Sequence, residues 1–545
     1  MARLTLVRCA VLMMFSAMLT NDARAKELDD RFMSDVNLEH YYVIEENALS
    51  NANVLLRGDY FGKEDEDEEE SHGQHAPNLT SFISVIDEAK VVHRLAGPHL
   101  ELFLAHPINV YHLFRRLDNG WREGLQMLLE TKPCKKWNLP RIVGRLRYLI
   151  DNLPGREELE RLVHYIAKLQ NIYRISVKDI AQGKIGDVLA LKPLTIQDQF
   201  QIVKVLHDKD DMRTALVWLH QIYDNISRLQ PEQTTSLGFN LTDVLNLMAS
   251  AYYHIRRVSD ALEKTEKVLE IDPSNRIAAS NLVFFRNKLA AEKEMNETGL
   301  NEAQLNAFTS ARKQLPKYER LCGRKRWKAT RKRCRLVRIG LMFYKMELLR
   351  KNPHIVMFHD VIRSQTADVL KSYAHEFQTE QAWVSGEKFH PPSVGVDLGS
   401  QFITKSSVKR AATSLQKHLQ ALSRLGEGDP EDWGRLQVFN VGLEGMHLRD
   451  NWSELHLFPA VKIGKYRKER AAYYVFLNDV KTGGEVVFAD ENIVVRPEKG
   501  SVLFYYHSKV SLHSYCPVIG SSLWVAVQPV RDKLRNYCVD DDEWL

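Results

Sequence analysis

Apolar residues recur at three- and four-residue spacing through residues 30–60 and 80–130, which predicts helices in both stretches. Between them the chain reads Glu64-Asp65-Glu66-Asp67-Glu68-Glu69-Glu70, then Ser71-His72-Gly73. Adjacent like charges repel, so this run predicts an exposed, solvated loop; a site for calcium or a basic partner is the alternative. Paired helical patterns return over residues 155–290. Ala215, Leu216, Trp218, Leu219 and Ile222 fall on one apolar face. A second unit carries Ala249, Ala251 and Tyr252, then Ala261-Leu262, Val268-Leu269, Ile271-Asp272-Pro273-Ser274-Asn275 and Ala278. A polar helix follows through Lys288–Lys293. From about Pro353 the period changes to short β-branched and aromatic runs between turn residues: Trp383-Val384-Ser385, Leu436–Val441, Tyr473–Leu477, Glu485–Phe488, Ile493–Arg496, Val502–Tyr506 and Leu523–Val527.

These patterns predict an α+β multidomain chain. Alanines at close helix crossings and a proline ending the second helix match the tetratricopeptide pattern over 155–290. That pattern predicts a concave peptide-binding groove, with a spacer or dimer scaffold as the plainer alternative. The strand-rich end predicts an antiparallel double-sheet barrel of the jelly-roll type, a double-stranded β-helix. The expected domains are a signal peptide at 1–25, helices at 26–150, a tetratricopeptide-like domain at 155–290, a basic linker with a disulfide loop at 291–350, and the barrel at 351–545.

Composition narrows the setting. The net charge of +5 arises from 75 basic and 70 acidic residues, a small excess that points to no nucleic-acid partner. The densest basic stretch, Arg324-Lys325-Arg326-Trp327-Lys328 with Arg331-Lys332-Arg333, sits between two cysteines and reads as a solvated loop or an anion site. Arg3 and Arg8 precede an apolar run from Cys9 to Leu19, and Ala23-Arg24-Ala25 offers a cleavage pattern, so residues 1–25 read as a signal peptide. No later window holds about eighteen apolar residues, so no membrane span is expected. The expected place is the endoplasmic reticulum lumen, held there by a partner, or else secretion. Sequence-local pairing predicts disulfides Cys322–Cys334 and Cys516–Cys538, with Cys134 left odd. Sequons at Asn78, Asn225, Asn240, Asn296 and Asn451 are candidate glycosylation sites.

Two stretches carry a family resemblance. One is Leu104-Ala105-His106-Pro107-Ile108-Asn109-Val110-Tyr111, followed by Leu113-Phe114-Arg115-Arg116-Leu117. The other is the C-terminal frame: Leu436 to Gly442, Ala472 to Val480, Gly483-Gly484-Glu485-Val486-Val487-Phe488, Lys499 to Phe504, His513-Ser514-Tyr515-Cys516-Pro517 and Trp524-Val525. Together they resemble the alpha subunit of animal collagen prolyl 4-hydroxylases. The resemblance implies an N-terminal assembly region and a groove whose tyrosines stack on proline-rich or collagen-like peptides in the polyproline II conformation. It also implies procollagen-proline 4-dioxygenase activity with Fe(II), 2-oxoglutarate and ascorbate, and assembly with protein disulfide isomerase as beta subunit. Family tyrosines are missing around Leu206–Arg213, which leaves Tyr252 and Tyr253 as candidate stacking residues.

The dioxygenase chemistry needs two histidines and a carboxylate on one face of the iron, and a cation for the outer carboxylate of 2-oxoglutarate. Laid on the family's iron motif from Asn440, this chain matches at Asn440, Gly442 and Gly445. It then places Asp450 at the histidine position, Asn451 between, and Trp452 at the aspartate position. His513 holds the distal histidine position. The lysine position falls on Leu523, which offers no charge; losing such a contact costs about 1.5–3 kcal/mol. A β-bulge bringing His447 and Asp450 together with His513 is a substitute ligand set, with His456 and His507 as further candidates and Arg531 or Lys533 as replacement cations. Three readings follow: a pseudoenzyme that binds proline-rich chains or assembles with disulfide isomerase or sister alpha subunits; an active hydroxylase with displaced ligands; and a secreted peptide-binding module.

Overall fold

The structure, a computed structural model, describes residues 35–56, 80–130, 140–228, 237–297, 317–323, 334–384, 396–397, 405–423, 436–443, 471–506 and 513–530. The expected signal peptide, the acidic run, the basic stretch 324–333, Asn78, Cys134, His447, Asp450, Asn451, Trp452, His456, His507, Arg531, Lys533 and Cys538 lie outside the described residues. The chain divides into two compact units. One comprises Met1–Ala105, Asn119–Leu153 and Lys317–Leu545; the other comprises His106–Asp118 and Pro154–Pro316.

The second unit is a helical stack. Its helices Ile196–Asp208, Met212–Ile226, Leu241–His254, Val258–Ile271 and Arg276–Glu297 each pack on the next. Thr195, Asp211 and Asn240 cap three of them, each side chain accepting the backbone N–H three residues on. The apolar stripe read at 215–222 is the buried face of its helix, and Trp218 Nε1 donates to Gln170 Oε1 at 2.8 Å.

The His106 motif anchors the start of this stack. Pro107 opens the helix Pro107–Arg115, and the His106 ring accepts the Ile108 N–H at 3.2 Å as its cap. Asn109 Oδ1 accepts the Leu191 N–H at 2.9 Å, and the Tyr111 hydroxyl donates to the Asp198 carbonyl at 3.4 Å. Arg115 pairs with the buried Asp198 carboxylate, which also closes a capping box with Thr195. The motif thus fixes the first turn of Ile196–Asp208. Between the two lies a small hairpin, β1 (Lys184–Ile185) and β2 (Val188–Leu189).

The first unit is built on an eight-stranded antiparallel sheet. Its strands are β3 (Arg335–Ile339), β4 (Met342–Arg350), β5 (Ile355–His359), β6 (Val396–Asp397), β7 (Gln437–Val441), β8 (Ala471–Phe476), β11 (Val502–Tyr506) and β13 (Leu523–Val530), in the order β3-β4-β5-β11-β8-β13-β7-β6. A second sheet holds β9 (Val486–Phe488), β10 (Ile493–Val495) and β12 (His513–Tyr515), in the order β10-β9-β12. Successive residues of the central strands alternate between two cores. Ala471, Tyr473, Val475, Val502, Trp524 and Ala526 pack with Leu370, Leu415 and Leu419 of the helices Ser364–Val384 and Ser406–Ser423. Ala472, Tyr474, Phe476, Leu503, Tyr505, Leu523 and Val525 pack with Val486, Phe488 and Tyr515 of the small sheet. Both faces are covered, which is why these strands read as unbroken apolar runs rather than alternating ones.

Helices of the N-terminal half complete this unit. Asp35–Leu56, Thr80–Ala96, Arg122–Glu130 and Pro140–Asn152 agree with the helical periodicity there. The buried Glu45 accepts the Trp121 Nε1–H at 2.9 Å and pairs with His93 Nε2 at 2.9 Å.

Three expectations are corrected. Trp383-Val384 ends the helix Ser364–Val384 rather than forming a strand, because Ala367, Leu370 and Ala374 place one helical stripe in the core. The expected linker ends early: residues from Arg335 onward already form β3 and β4. Cys322 bonds to Cys516 and not to Cys334. The short helix Lys317–Cys322 lies on β9, next to the strand that Cys516 follows, and the two Cα atoms are 5.6 Å apart. Cys334 leads into β3, the outermost strand of the other sheet, and is an exposed thiol. Among the sequons, Asn240 is an exposed helix cap, Asn225 lies in the last turn of Met212–Ile226, and Asn296 is near the end of Arg276–Glu297.

Two outcomes follow. Peptide mapping under non-reducing conditions is expected to recover a Cys322–Cys516 linkage; a Cys322–Cys334 peptide would contradict this arrangement. The second concerns His106, whose burial lowers its pKa from 6.5 to about 4. Its imidazole is neutral in the fold and protonates more readily unfolded, so its contribution is complete above pH 6.5 and is lost as the pH falls toward 4. The helical unit is expected to lose about 2 kcal/mol between pH 7 and pH 5, measured by urea unfolding. His106→Asn, which keeps a capping side chain, is expected to flatten that dependence; an unchanged slope would refute it.

Candidate functional site

The first candidate is the interior between the two sheets. His513 opens β12 opposite Phe488 of β9 and is buried, with 3% of its surface exposed. Its Nε2 is hydrogen-bonded to the Tyr505 hydroxyl. The Phe488 ring stacks on the imidazole at 5.4 Å and meets Tyr505 edge-on at 4.9 Å, and Tyr474 stacks on Tyr505 at 5.1 Å. Burial pushes the Tyr505 and Tyr515 phenols well above their ordinary pKa, Tyr505 further through Tyr474 and Tyr515. Both therefore stay protonated and act as hydrogen-bonding groups rather than bases. Leu523 opens β13 opposite Val441, wholly buried in the same apolar core.

An iron ion with 2-oxoglutarate makes specific demands on this interior. Among the described residues no three His, Cys, Asp or Glu side chains cluster to hold a metal ion. Leu523 lies in an apolar cluster with Val480 and Val525, and its own side chain offers a cosubstrate carboxylate neither charge nor hydrogen bond. The described residues do not fit the pair. Of the residues singled out in the sequence, the structure places His513 and Leu523 in one interior; His447, Asp450 and Trp452 lie outside the described residues.

The second candidate is a face of the helical stack built by alternate helices. Ile196–Asp208 meets Leu241–His254 through a 2.9 Å hydrogen bond between His207 Nε2 and Ser250 Oγ. Leu241–His254 meets Arg276–Glu297 where the Tyr253 ring stands edge-on to Phe284 at 5.3 Å. In a tetratricopeptide stack this face is the concave one. Phe200 lies at one end, stacked on Phe239 at 3.7 Å with Lys204 Nζ over its ring at 4.9 Å. At the other end Lys288 Nζ lies 5.9 Å over Phe284, which is 42% exposed. Midway, Asn246 Oδ1 is buried without a hydrogen-bond partner in the protein. Burial lowers the His207 pKa, assisted by the neighbouring His254.

The two tyrosines separate. Tyr253 is on this face. Tyr252 packs inward, 6% exposed, with its hydroxyl 2.8 Å from His220 Nε2 and Arg257 over its ring. Adjacent helical residues diverge by about 100°, so the two rings do not share a face. Two helical turns separate Phe200 from His207 and Asn246 from Tyr253, so each pair lies on one side of its own helix, which reading for tyrosines alone missed.

One unit of the chain is a helical stack of the tetratricopeptide type and the other is built on two sheets, which defines a multidomain α+β protein. Residues 74–187 match the Prolyl 4-Hydroxylase alpha-subunit, N-terminal region, and residues 196–291 match the prolyl 4-hydroxylase peptide-substrate-binding domain. Prolyl 4-hydroxylase subunit alpha-1 of Rattus norvegicus is 25% identical over 473 residues, 80% of this chain and 84% of that one. Subunit alpha-3 of the same species is 25% identical over 459 residues, 78% and 82% of the two chains. A viral collagen prolyl hydroxylase from Paramecium Bursaria Chlorella virus-1, solved as a 2OG complex, aligns with 32% of this chain and 94% of its own at 16% identity; its TM-score of 0.22 is too low to carry weight. Together these matches support the prolyl 4-hydroxylase alpha-subunit family for this chain.

A lysine placed at position 523 should harm the fold. Leu523→Lys puts an ammonium in the inter-sheet core, where burial lowers a lysine pKa by about three units, on the order of 4 kcal/mol lost at neutral pH. The deficit should shrink as pH rises and the amine sheds its proton. Denaturant unfolding at neutral and alkaline pH checks this; a variant as stable as the parent at neutral pH would mean that position 523 is not dry.

Proposed function

We propose that this protein is a prolyl 4-hydroxylase alpha-subunit-like pseudoenzyme of the endoplasmic reticulum. Its helical groove binds proline-rich chains, and its two-sheet domain, a modified jelly roll, serves as a partner scaffold without iron chemistry. The observation that carries the reading is Leu523: the position from which a lysine would hold 2-oxoglutarate is an aliphatic side chain packed on all sides. The hydrogen bond between Tyr505 and His513, in a shell of Phe488 and Tyr474, supports a structural role for this histidine. Function follows from the site and not from the ancestry of the fold.

The groove keeps the parts needed for a polyproline II ligand. Tyr253 and Phe284 offer aromatic surface to proline rings. Assembly with protein disulfide isomerase as beta subunit, or with sister alpha subunits, accounts for retention in the lumen. No described helix is long and apolar enough to cross a membrane.

Calorimetry on the full chain tests both halves. A (Pro-Pro-Gly)-type peptide is expected to bind, and Tyr253→Ala to weaken it about tenfold. 2-Oxoglutarate with Fe(II) under anaerobic conditions is expected to give no saturable heat. Saturable 2-oxoglutarate binding would favour the active reading with displaced ligands, and His447, Asp450 and His513 would be the residues to replace next. Absence of peptide binding would sink the groove.

A further inference from the structure

The sequon Asn240-Leu241-Thr242 coincides with the start of the helix Leu241–His254. Asn240 caps that helix: its Oδ1 accepts the Asp243 N–H at 2.9 Å and the Thr242 hydroxyl at 2.6 Å. Its own backbone N–H donates to Asp243 Oδ2 at 2.9 Å, which closes the capping box. A backbone N–H can only donate, so the amide atom facing Asp243 is the oxygen and the amide nitrogen points away. Nδ2 makes no hydrogen bond among the described residues, and Asn240 is exposed.

The chain just before the cap is open as well. Gly238 holds φ at +73°, and a Cβ there would meet nothing within 4 Å, so that part of the turn borders solvent. A substituent on the Asn240 amide nitrogen would leave the carbonyl oxygen free to go on capping. Asn225, the other sequon asparagine with a described side chain, is half-buried in the last turn of Met212–Ile226.

We propose that Asn240 carries an N-linked glycan while its amide oxygen continues to cap the helix. This rests on the lumenal reading above and deepens it. The donor is an oligosaccharide carried on a lipid pyrophosphate. Nδ2 forms a bond to the anomeric carbon and gives up one proton. The bond from that carbon to the pyrophosphate oxygen breaks, and the lipid pyrophosphate leaves with the electron pair; nothing is oxidised or reduced. Thr242 is buried with its hydroxyl held by Oδ1, so the transfer precedes closure of the cap and the folded cap accommodates the product. The attachment point lies about 20 Å along the helix axis from Tyr253, at the opposite end from the aromatic surface proposed for peptides.

Mass spectrometry tests it on the full chain expressed in cultured animal cells. A peptide-N-glycosidase acting in heavy-oxygen water converts each glycosylated asparagine to a labelled aspartate. The peptide holding Asn240 is expected to carry the label in most molecules. Asn240→Asp and Thr242→Val are each expected to lose one glycan, seen as a step in gel mobility, and Thr242→Ser to keep it. Asn240→Asp retains a capping carboxylate, so its helix content by circular dichroism should match the parent's. An unlabelled Asn240 in a chain labelled at another sequon would overturn the inference and leave the lumenal reading standing. A chain with no label at any sequon would remove both.

Discussion

Burial of both faces of the central strands of the eight-stranded sheet is the constraint on which the two-sheet unit depends. Each central strand must supply an apolar residue to the helices on one side and another to the small sheet on the other, so β8, β11 and β13 have no polar face to spare. A dioxygenase of this architecture gives up part of the inter-sheet layer to a wet, charged centre. Here Leu523 fills its share of that layer with hydrocarbon, and the Tyr474, Tyr505, Phe488 and His513 rings pack against one another beside it. A protein interior is close-packed, so a cosubstrate and its counter-cation cannot be added to such a layer without displacing side chains.

The helical unit obeys a different constraint. Its inner helix faces pack alanines and Trp218 tightly, while the outward positions of alternate helices are free to vary without cost to stability. His207, Tyr253 and Phe284 stand on these outward positions. The His106 motif holds this surface in place by fixing the first turn of Ile196–Asp208 through Asn109, Tyr111 and Arg115. Sequence placed that motif in an assembly region; its contacts tie it to the peptide-binding stack.

Periodicity made the helices and most of the central strands legible, since apolar runs such as Tyr473–Leu477 and Val502–Tyr506 are long enough to be read locally. It failed where the signal is non-local. β3 and β4 carry Arg335, Arg338 and Lys345, charges suited to an edge hairpin, and so read as linker. The bond between Cys322 and Cys516 joins residues 194 apart and is set by the docking of a short helix on β9, which no local spacing encodes. Trp383-Val384 has strand-like residues but takes its conformation from Leu370 and Ala374 in the same helix. At the site, Leu523 and His513 were found by register with the family motif. The groove residues needed the three-dimensional face on which Tyr253 lies and Tyr252 does not.

The most direct test of the central claim is release of carbon dioxide from 2-oxoglutarate, with Fe(II), ascorbate and a proline-rich peptide shown to bind, on protein co-expressed with disulfide isomerase. The account predicts no peptide-dependent release above a metal-free control. Peptide-dependent release that disappears on substituting His513 would contradict it, and would mean that the inter-sheet layer opens to hold a working iron centre.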